Sequence, residues 1–318
     1  MNREITQKTN RFPQKWRLRS PLGGDIIKVC ILRFDKGYYM VDKSSVSEIL
    51  NKHSLPLHGY CRFDALADNL LPCRALSRLE SAFLPEQPKT VIAVLFPYRF
   101  DDMPGNLSRY ARVPDYHTAA GGFLKKAAAG LSAAFPEYRF VPFIDSSPIP
   151  EVRAAALSGL GVVGDNGLLI NPLYGSWVFI GNIVTDLDLK ITDSEIKECS
   201  HCGACRKICP GGCAGGKTRK NCVSRITQIK GELTASQQAL LLKSGMAWGC
   251  DICQDVCPLN QNALIAPHPC FGDKPFNPSL SFEDLNSLEG RAYGWRGAKT
   301  LERNLNLLQS LHDSTSDA

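Results

Sequence analysis

The chain has 318 residues, 44% hydrophobic content and a formal charge of +6, enough apolar material for one large domain or two ordinary ones and too much for a disordered polymer. Its longest apolar run, Val91 to Phe96, falls far short of the ~20 residues of a membrane helix, and its amino end shows no hydrophobic signal core, so a cytoplasmic protein is expected. Nor does charge mark the body of the chain as a polyanion binder: residues 1–39 carry nine Lys and Arg against three Asp and Glu, while residues 40–318 balance.

In chain order, residues 1–39 form a basic arm without sustained periodicity, with an edge strand expected at Ile26–Leu32. From Val46 to Glu80 helix-like stretches are broken by Pro56 and Pro72, the second being Asp64–Leu71. Thr90–Phe96 is a continuous β-branched and apolar run closed by Pro97, the pattern of a buried central strand. Asp115–Phe135 has the length of a helix, ended by Pro136, and Phe140–Ile144 is a second strand. Ser147-Pro148 offers an N-cap and a first-turn proline for a helix running through Ala154–Ala156 to Gly159. After a Gly- and Asn-rich loop, Gly159–Gly167, come strands at Leu168–Ile170 and Trp177–Val184. The tail from Pro278 to Leu311 is expected to be helical, with Leu301, Leu305, Leu308 and Leu311 along one stripe.

Nine of the thirteen cysteines lie between Cys199 and Pro258, and all of them but Cys213 form one pattern. They read Cys199-x2-Cys202-x2-Cys205-x3-Cys209-Pro210, then Cys222, then Cys250-x2-Cys253-x3-Cys257-Pro258. Three thiolates at two-residue intervals wrap one face of a cubane cluster, and in two-cluster ferredoxins the cysteine before proline crosses to the other cluster. Cluster one thus takes Cys199, Cys202, Cys205 and Cys257. Cluster two takes Cys209, Cys250, Cys253 and one more, Cys222 in preference to Cys213, which sits among glycines. Structural zinc is the alternative reading of Cys-x2-Cys pairs, but it needs neither the Cys-Pro endings nor the third cysteine of the first run. An odd cysteine count also argues against a disulfide framework.

These cysteines, with the lone Cys222 in place, resemble those of the epoxyqueuosine reductases. The resemblance extends over Ser108-Arg109-Tyr110-Ala111, Asp115-Tyr116-His117, Phe143-Ile144-Asp145-Ser146 with Pro148, and Gly159-Leu160-Gly161. It continues through Leu169-Ile170-Asn171-Pro172, Tyr174-Gly175-Ser176-Trp177, Thr185-Asp186-Leu187 and Gly249-Cys250-Asp251. It implies an α+β fold: a cobalamin-binding α/β domain at 40–190, a ferredoxin-like domain with two [4Fe-4S] clusters at 191–275, and a short helical segment at 276–318. It also implies a cytoplasmic redox chain in which an external flavodoxin or ferredoxin reduces the clusters, the clusters reduce cobalamin, and the epoxide oxygen of epoxyqueuosine in tRNA is removed by a monomer.

By the same resemblance Asp145 is the proton donor, a role that asks for a carboxyl pKa raised by burial. His117, Gly161, Gly164, Asn166 and Ser176 are the expected cofactor contacts, and Arg109 and Tyr110 are placed to grip or stack on the substrate. One departure stands out. Where the family has Gly-Lys-Asn-Thr, this chain has Gly164-Asp165-Asn166-Gly167, a positive position made negative. Competing readings are a dehalogenase-like reductase of a small molecule, which calls for a closed apolar pocket, and a ferredoxin-type carrier, which calls for no cobalamin. The tRNA reading instead calls for a basic groove, with Arg109, Arg112, Arg296 and Lys299 as candidates.

Overall fold

The computed structural model describes residues 41–72, 84–216 and 218–316, and residues 41–318 form one compact unit. The basic arm and the strand expected at Ile26–Leu32 lie outside the described residues. The upstream half is built on a four-stranded sheet of β1 (His58–Arg62), β2 (Thr90–Pro97), β3 (Phe140–Ile144) and β6 (Val178–Thr185), in the order β1-β2-β6-β3. Every neighbouring pair is antiparallel. This is the expected α+β class.

All eight residues of β2 are buried, because both faces of the sheet are covered and alternate side chains enter different cores. Ile92, Val94 and Phe96 pack with Ile183 beneath α1 (Lys43–Lys52) and α2 (Tyr116–Ala134). Ala93 and Leu95 pack with Ile180, Ala155 and Ala156 beneath α3 (Glu151–Leu157). A short hairpin, β4 (Val162–Val163) with β5 (Leu169–Ile170), lies within the Gly-rich stretch.

Local chemistry accounts for several boundaries. The Asp115 carboxylate caps α2 by accepting the His117 N–H at 3.0 Å. Helix α3 starts at Glu151, later than expected, because Ser147 Oγ accepts the Ile149 N–H in a turn of its own rather than capping a helix. The expected helix at Asp64–Leu71 is only a 3-10 turn, Ala67–Asn69, and β1 stands just before it.

The cysteine segment carries α4 (Ala204–Ile208), α5 (Val223–Ile226), α6 (Ala235–Ser244) and α7 (Ile252–Asp255). Helix α6 begins with a capping box between Thr234 and Gln237. The final helix, α8 (Ala298–Ser316), buries Leu301 and Leu305. Its wholly buried Asn304 donates to Thr227 O at 2.9 Å and Ala247 O at 2.8 Å, which pins the tail to the cysteine segment.

Candidate functional site

The eight cysteines fall into two neighbourhoods. Burial raises the Cys205 thiol, with Asp165 and then Cys257 and Cys199 adding to it, and Cys257 is raised by burial and by Cys202 and Cys199. Cys199, Cys202, Cys205 and Cys257 also line one small hollow. In the second neighbourhood burial pushes Cys250 and Cys253 up to about 12, and Cys222 acts on both. Cys209 also acts on Cys253. Buried thiols crowded in this way ionise only when a cation arrives, and iron supplies that charge. The donor sets therefore fit two cubane clusters.

Cys222 lines a cavity together with Cys250 and Cys253, and Cys213 does not. The loop holding Cys213 does something else. Burial raises Cys209, but the backbone amides of Ala214, Cys213, Gly211 and Gly212 outweigh it and lower the thiol, and the Cys213 N–H lies 3.3 Å from Cys209 Sγ. The glycines that look too pliant to aim a ligand form an amide nest around a neighbouring sulfur.

The cavity lined by Cys222, Cys250 and Cys253 is about 820 Å³. Asp145, Tyr110 and Tyr116 line it too, Phe179, Val178 and Leu168 add apolar surface, and Asn166 and Ser176 also border it. Its size, its apolar face and its contact with cluster-two cysteines suit a broad planar redox cofactor such as a corrin. No histidine is among its described lining residues.

Asp145 sits in the left-handed region, φ 57°, and accepts from His117 Nε2 at 2.9 Å. His117 Nδ1 meets Asp115 Oδ1 at 2.7 Å, so the imidazole spans two carboxylates. Bonding to Asp145, then to Asp115, raises His117 to about 8 against burial. The same bond to His117 lowers Asp145 against a partial desolvation that would raise it. The raised carboxyl expected at Asp145 is thus corrected: the partner histidine overrides desolvation, and the labile proton at neutral pH rests on the imidazole. Tyr116 stacks on His117, with centroids 4.1 Å apart, and on Phe179 at 4.2 Å.

Other expected contacts land differently. Gly161 and Gly164 do not line this cavity. A Cβ on Gly161 would lie 2.5 Å from Ile170 O, and one on Gly164 2.5 Å from Asn166 Oδ1. Their lack of a side chain leaves room for the close approaches within the β4–β5 hairpin. Ser176 lines the cavity, but its hydroxyl donates to Gln254 Oε1 and accepts from Asn260 Nδ2, both at 2.8 Å. Gln254 in turn donates to Asp251 Oδ1 at 3.1 Å.

Asp251 is 4% exposed and accepts from Ser108 Oγ at 2.5 Å and from the Arg109 N–H at 2.7 Å. This chain of bonds ties the cluster-two motif to Ser108 and Ser176, which also line the cavity. Asp251 and Gln254 are buried network positions that cysteine spacing alone conceals. Their only sequence signal is the place of Asp251 beside Cys250.

Arg109 is not free to grip a substrate. Its guanidinium bonds Asp255 at 2.6 Å and Asp102 at 3.3 Å and lies 4.6 Å from the Trp177 ring centre. Arg112 is buried on Leu107 O and Met103 O. The cations that line the cavity are Arg219, Arg225, Lys230 and Arg296. The departure at Asp165 is neutralised: Arg206 bonds it at 2.7 Å and His201 at 2.8 Å, and these two hold its carboxyl low. The cation beside this loop is Arg219, whose Nη2 donates to Asn166 O at 2.8 Å. No helix among the described residues is long and apolar enough to cross a membrane.

Comparison with known proteins agrees with this site. Residues 198–260 match the family model for a 4Fe-4S double cluster binding domain, and residues 78–146 match that for epoxyqueuosine reductase QueG, DUF1730. The epoxyqueuosine reductase of Lactococcus garvieae is 31% identical over 249 residues, covering 72% of this chain and 70% of that one. That of Cellulophaga algicola is 32% identical over 223 residues, covering 66% and 71%. A crystal structure of an epoxyqueuosine reductase with a tRNA-Tyr epoxyqueuosine-modified stem loop shares the fold, with a TM-score of 0.67, 23% identity and coverage of 84% of this chain and 80% of that one. By its double-cluster cysteines and by its likeness to these relatives over more than two thirds of their length, the chain belongs to the epoxyqueuosine reductase family.

Proposed function

We propose that this chain reduces epoxyqueuosine in a tRNA anticodon to queuosine, using cobalamin in the 820 Å³ cavity and two [4Fe-4S] clusters. The observation that carries the reading is the cavity itself, which Asp145 lines together with Cys222, Cys250 and Cys253. Held there by the lining that includes Tyr116, Phe179 and Cys222, cobalamin would supply a strongly reducing cobalt centre and the clusters would serve as one-electron relays.

The chain's own residues handle protons and position. The His117 imidazolium holds a proton against Asp145 Oδ2 at 2.9 Å. Asp145, 57% exposed and facing the cavity, passes that proton to the departing oxygen and is recharged from His117. Tyr116 and Phe179 stack as a flat wall. Arg225 and Lys230, both exposed at the cavity, attract the phosphates of the substrate. An external one-electron donor of the flavodoxin or ferredoxin class reduces the clusters. The family relationship supports tRNA as the substrate, and the cationic lining favours it over a small halogenated molecule.

The test is anaerobic reconstitution with iron, sulfide and cobalamin, followed by reduction of a tRNA stem-loop bearing epoxyqueuosine. Queuosine formation that depends on both cobalamin and clusters is expected. Full loading of both without any product would refute the reading.

A further inference from the structure

Removing an epoxide oxygen as water breaks two C–O bonds, forms one C=C bond and consumes two electrons and two protons. The electrons come from the external donor through the clusters. The His117–Asp145 pair holds only one labile proton. We propose that Glu151 is the second proton store of this site, a half-buried carboxylic acid that recharges the His117–Asp145 pair within one turnover. This rests on the function proposed above and adds the source of its second proton.

The geometry comes first. Glu151 opens α3, six residues after Asp145, with Pro148 and Pro150 stiffening the intervening loop. Its Oε1 is buried with no hydrogen-bond partner, an arrangement that penalises a carboxylate far more than a neutral acid. Glu151 and Asp145 line a common hollow of about 590 Å³ behind the Asp145 loop. The backbone N–H of Asp145 donates to the Glu151 carboxyl, so the left-handed residue that presents the acid to the main cavity also touches its neighbour. Asn182, wholly buried in β6, has neither amide atom partnered. It follows the same alternation as Ile180 and Val184, toward the face that α3 covers.

The charged and titratable groups around Glu151 are Asp145 on the loop, His117 and Tyr116 on α2, and Arg153 and Glu198 lining the shared hollow. No Lys or Arg is among the groups that set its proton affinity. Burial, then the negative charge of Asp145, raises it to about 8. Its ordinary value is 4.5, so it keeps its proton at neutral pH.

The experiment uses the reconstituted holoenzyme as wild type, Glu151→Gln and Glu151→Asp. Infrared titration of the protein without substrate is expected to show a protonated-carboxyl band that disappears as pH rises through about 8 and is missing from Glu151→Gln. With substrate, log kcat of the wild type is expected to fall with a two-proton limb above about 8, since His117 and Glu151 lose protons in the same range. Glu151→Gln should fall with a one-proton limb and turn over about tenfold slower or worse, a smaller loss than the ~10²–10⁴-fold of a direct general acid. Glu151→Asp should restore the two-proton limb.

Absence of the band, or a two-proton limb and wild-type kcat in Glu151→Gln, would overturn the proposal. Should Glu151→Gln fail to fold, the wild-type band and the Glu151→Asp limb decide it. If the wild type forms no queuosine, the substrate reading fails, whereas the titration still decides whether Glu151 stores a proton.

Discussion

Replacing Asp145 by Asn removes the charge from the group that most raises His117, keeps its size and leaves only a neutral amide oxygen as acceptor. In the intact protein the rise of His117 from 6.5 to about 8 corresponds to about 2 kcal/mol at 1.36 kcal/mol per pH unit. The imidazole is 39% exposed, so solvent screening reduces the stability that this confers to on the order of 1 kcal/mol. His117, raised on folding, contributes stability that is full below 6.5 and is lost as pH rises through about 8. Asp145, lowered on folding, contributes stability that is present above 3.8 and is lost as pH falls through its depressed value. The pair is therefore worth most between 3.8 and 6.5.

In Asp145→Asn the Asp115 contact at 2.7 Å survives, so the imidazole should titrate between 6.5 and 8 rather than at either limit. Histidine NMR titration reads this directly. Turnover should fall by roughly 10²–10⁴-fold, because the group that hands the proton to the departing oxygen is gone. An imidazole that titrates near 6.5 in the wild type, or one that Asp145→Asn leaves at about 8, would refute the assignment of this proton.

The remaining predictions concern the cluster ligands, the buried network and the cationic lining. Cys222→Ser should lose about half of the reconstituted iron, while Cys213→Ser keeps all of it; iron lost from Cys213→Ser and kept by Cys222→Ser would reverse the choice of the eighth ligand. Asp251→Ala leaves Ser108, Arg109 and Gln254 without their buried acceptor and should cost about 3–5 kcal/mol in denaturant unfolding of the holoprotein; a destabilisation below about 1 kcal/mol would show that the network is dispensable. Arg225→Ala with Lys230→Ala should weaken binding of a tRNA stem-loop and reduce the magnitude of the log–log salt slope by about 0.7 to 0.9 for each phosphate no longer neutralised. An unchanged slope would remove these cations from the tRNA interface.

The double-cluster cysteine pattern is the most legible part of the chain, because thiolate coordination constrains spacing within the chain itself. Strand β2 is equally plain, since burial on both faces leaves an unbroken apolar run. What sequence does not expose is what depends on partners distant in the chain. Asp145 looks like a lone acid until His117, 28 residues away, is seen to override its desolvation. Arg109 looks like a surface cation until Asp255 and Trp177 engage it. Gly161 and Gly164 look like ligand-facing positions, but their close neighbours are the carbonyl of Ile170 and the side chain of Asn166. Strand β1 is hidden in the sequence because Gly59 and Cys61 supply its buried positions, and neither residue signals a strand strongly.

The most direct test of the central claim is single-turnover reduction of an epoxyqueuosine-bearing tRNA stem-loop by the reconstituted, pre-reduced holoprotein. Queuosine is predicted at about one equivalent per cobalamin, with the product absent when cobalamin or either cluster is omitted. A fully loaded, reduced protein that leaves the epoxide intact would contradict it.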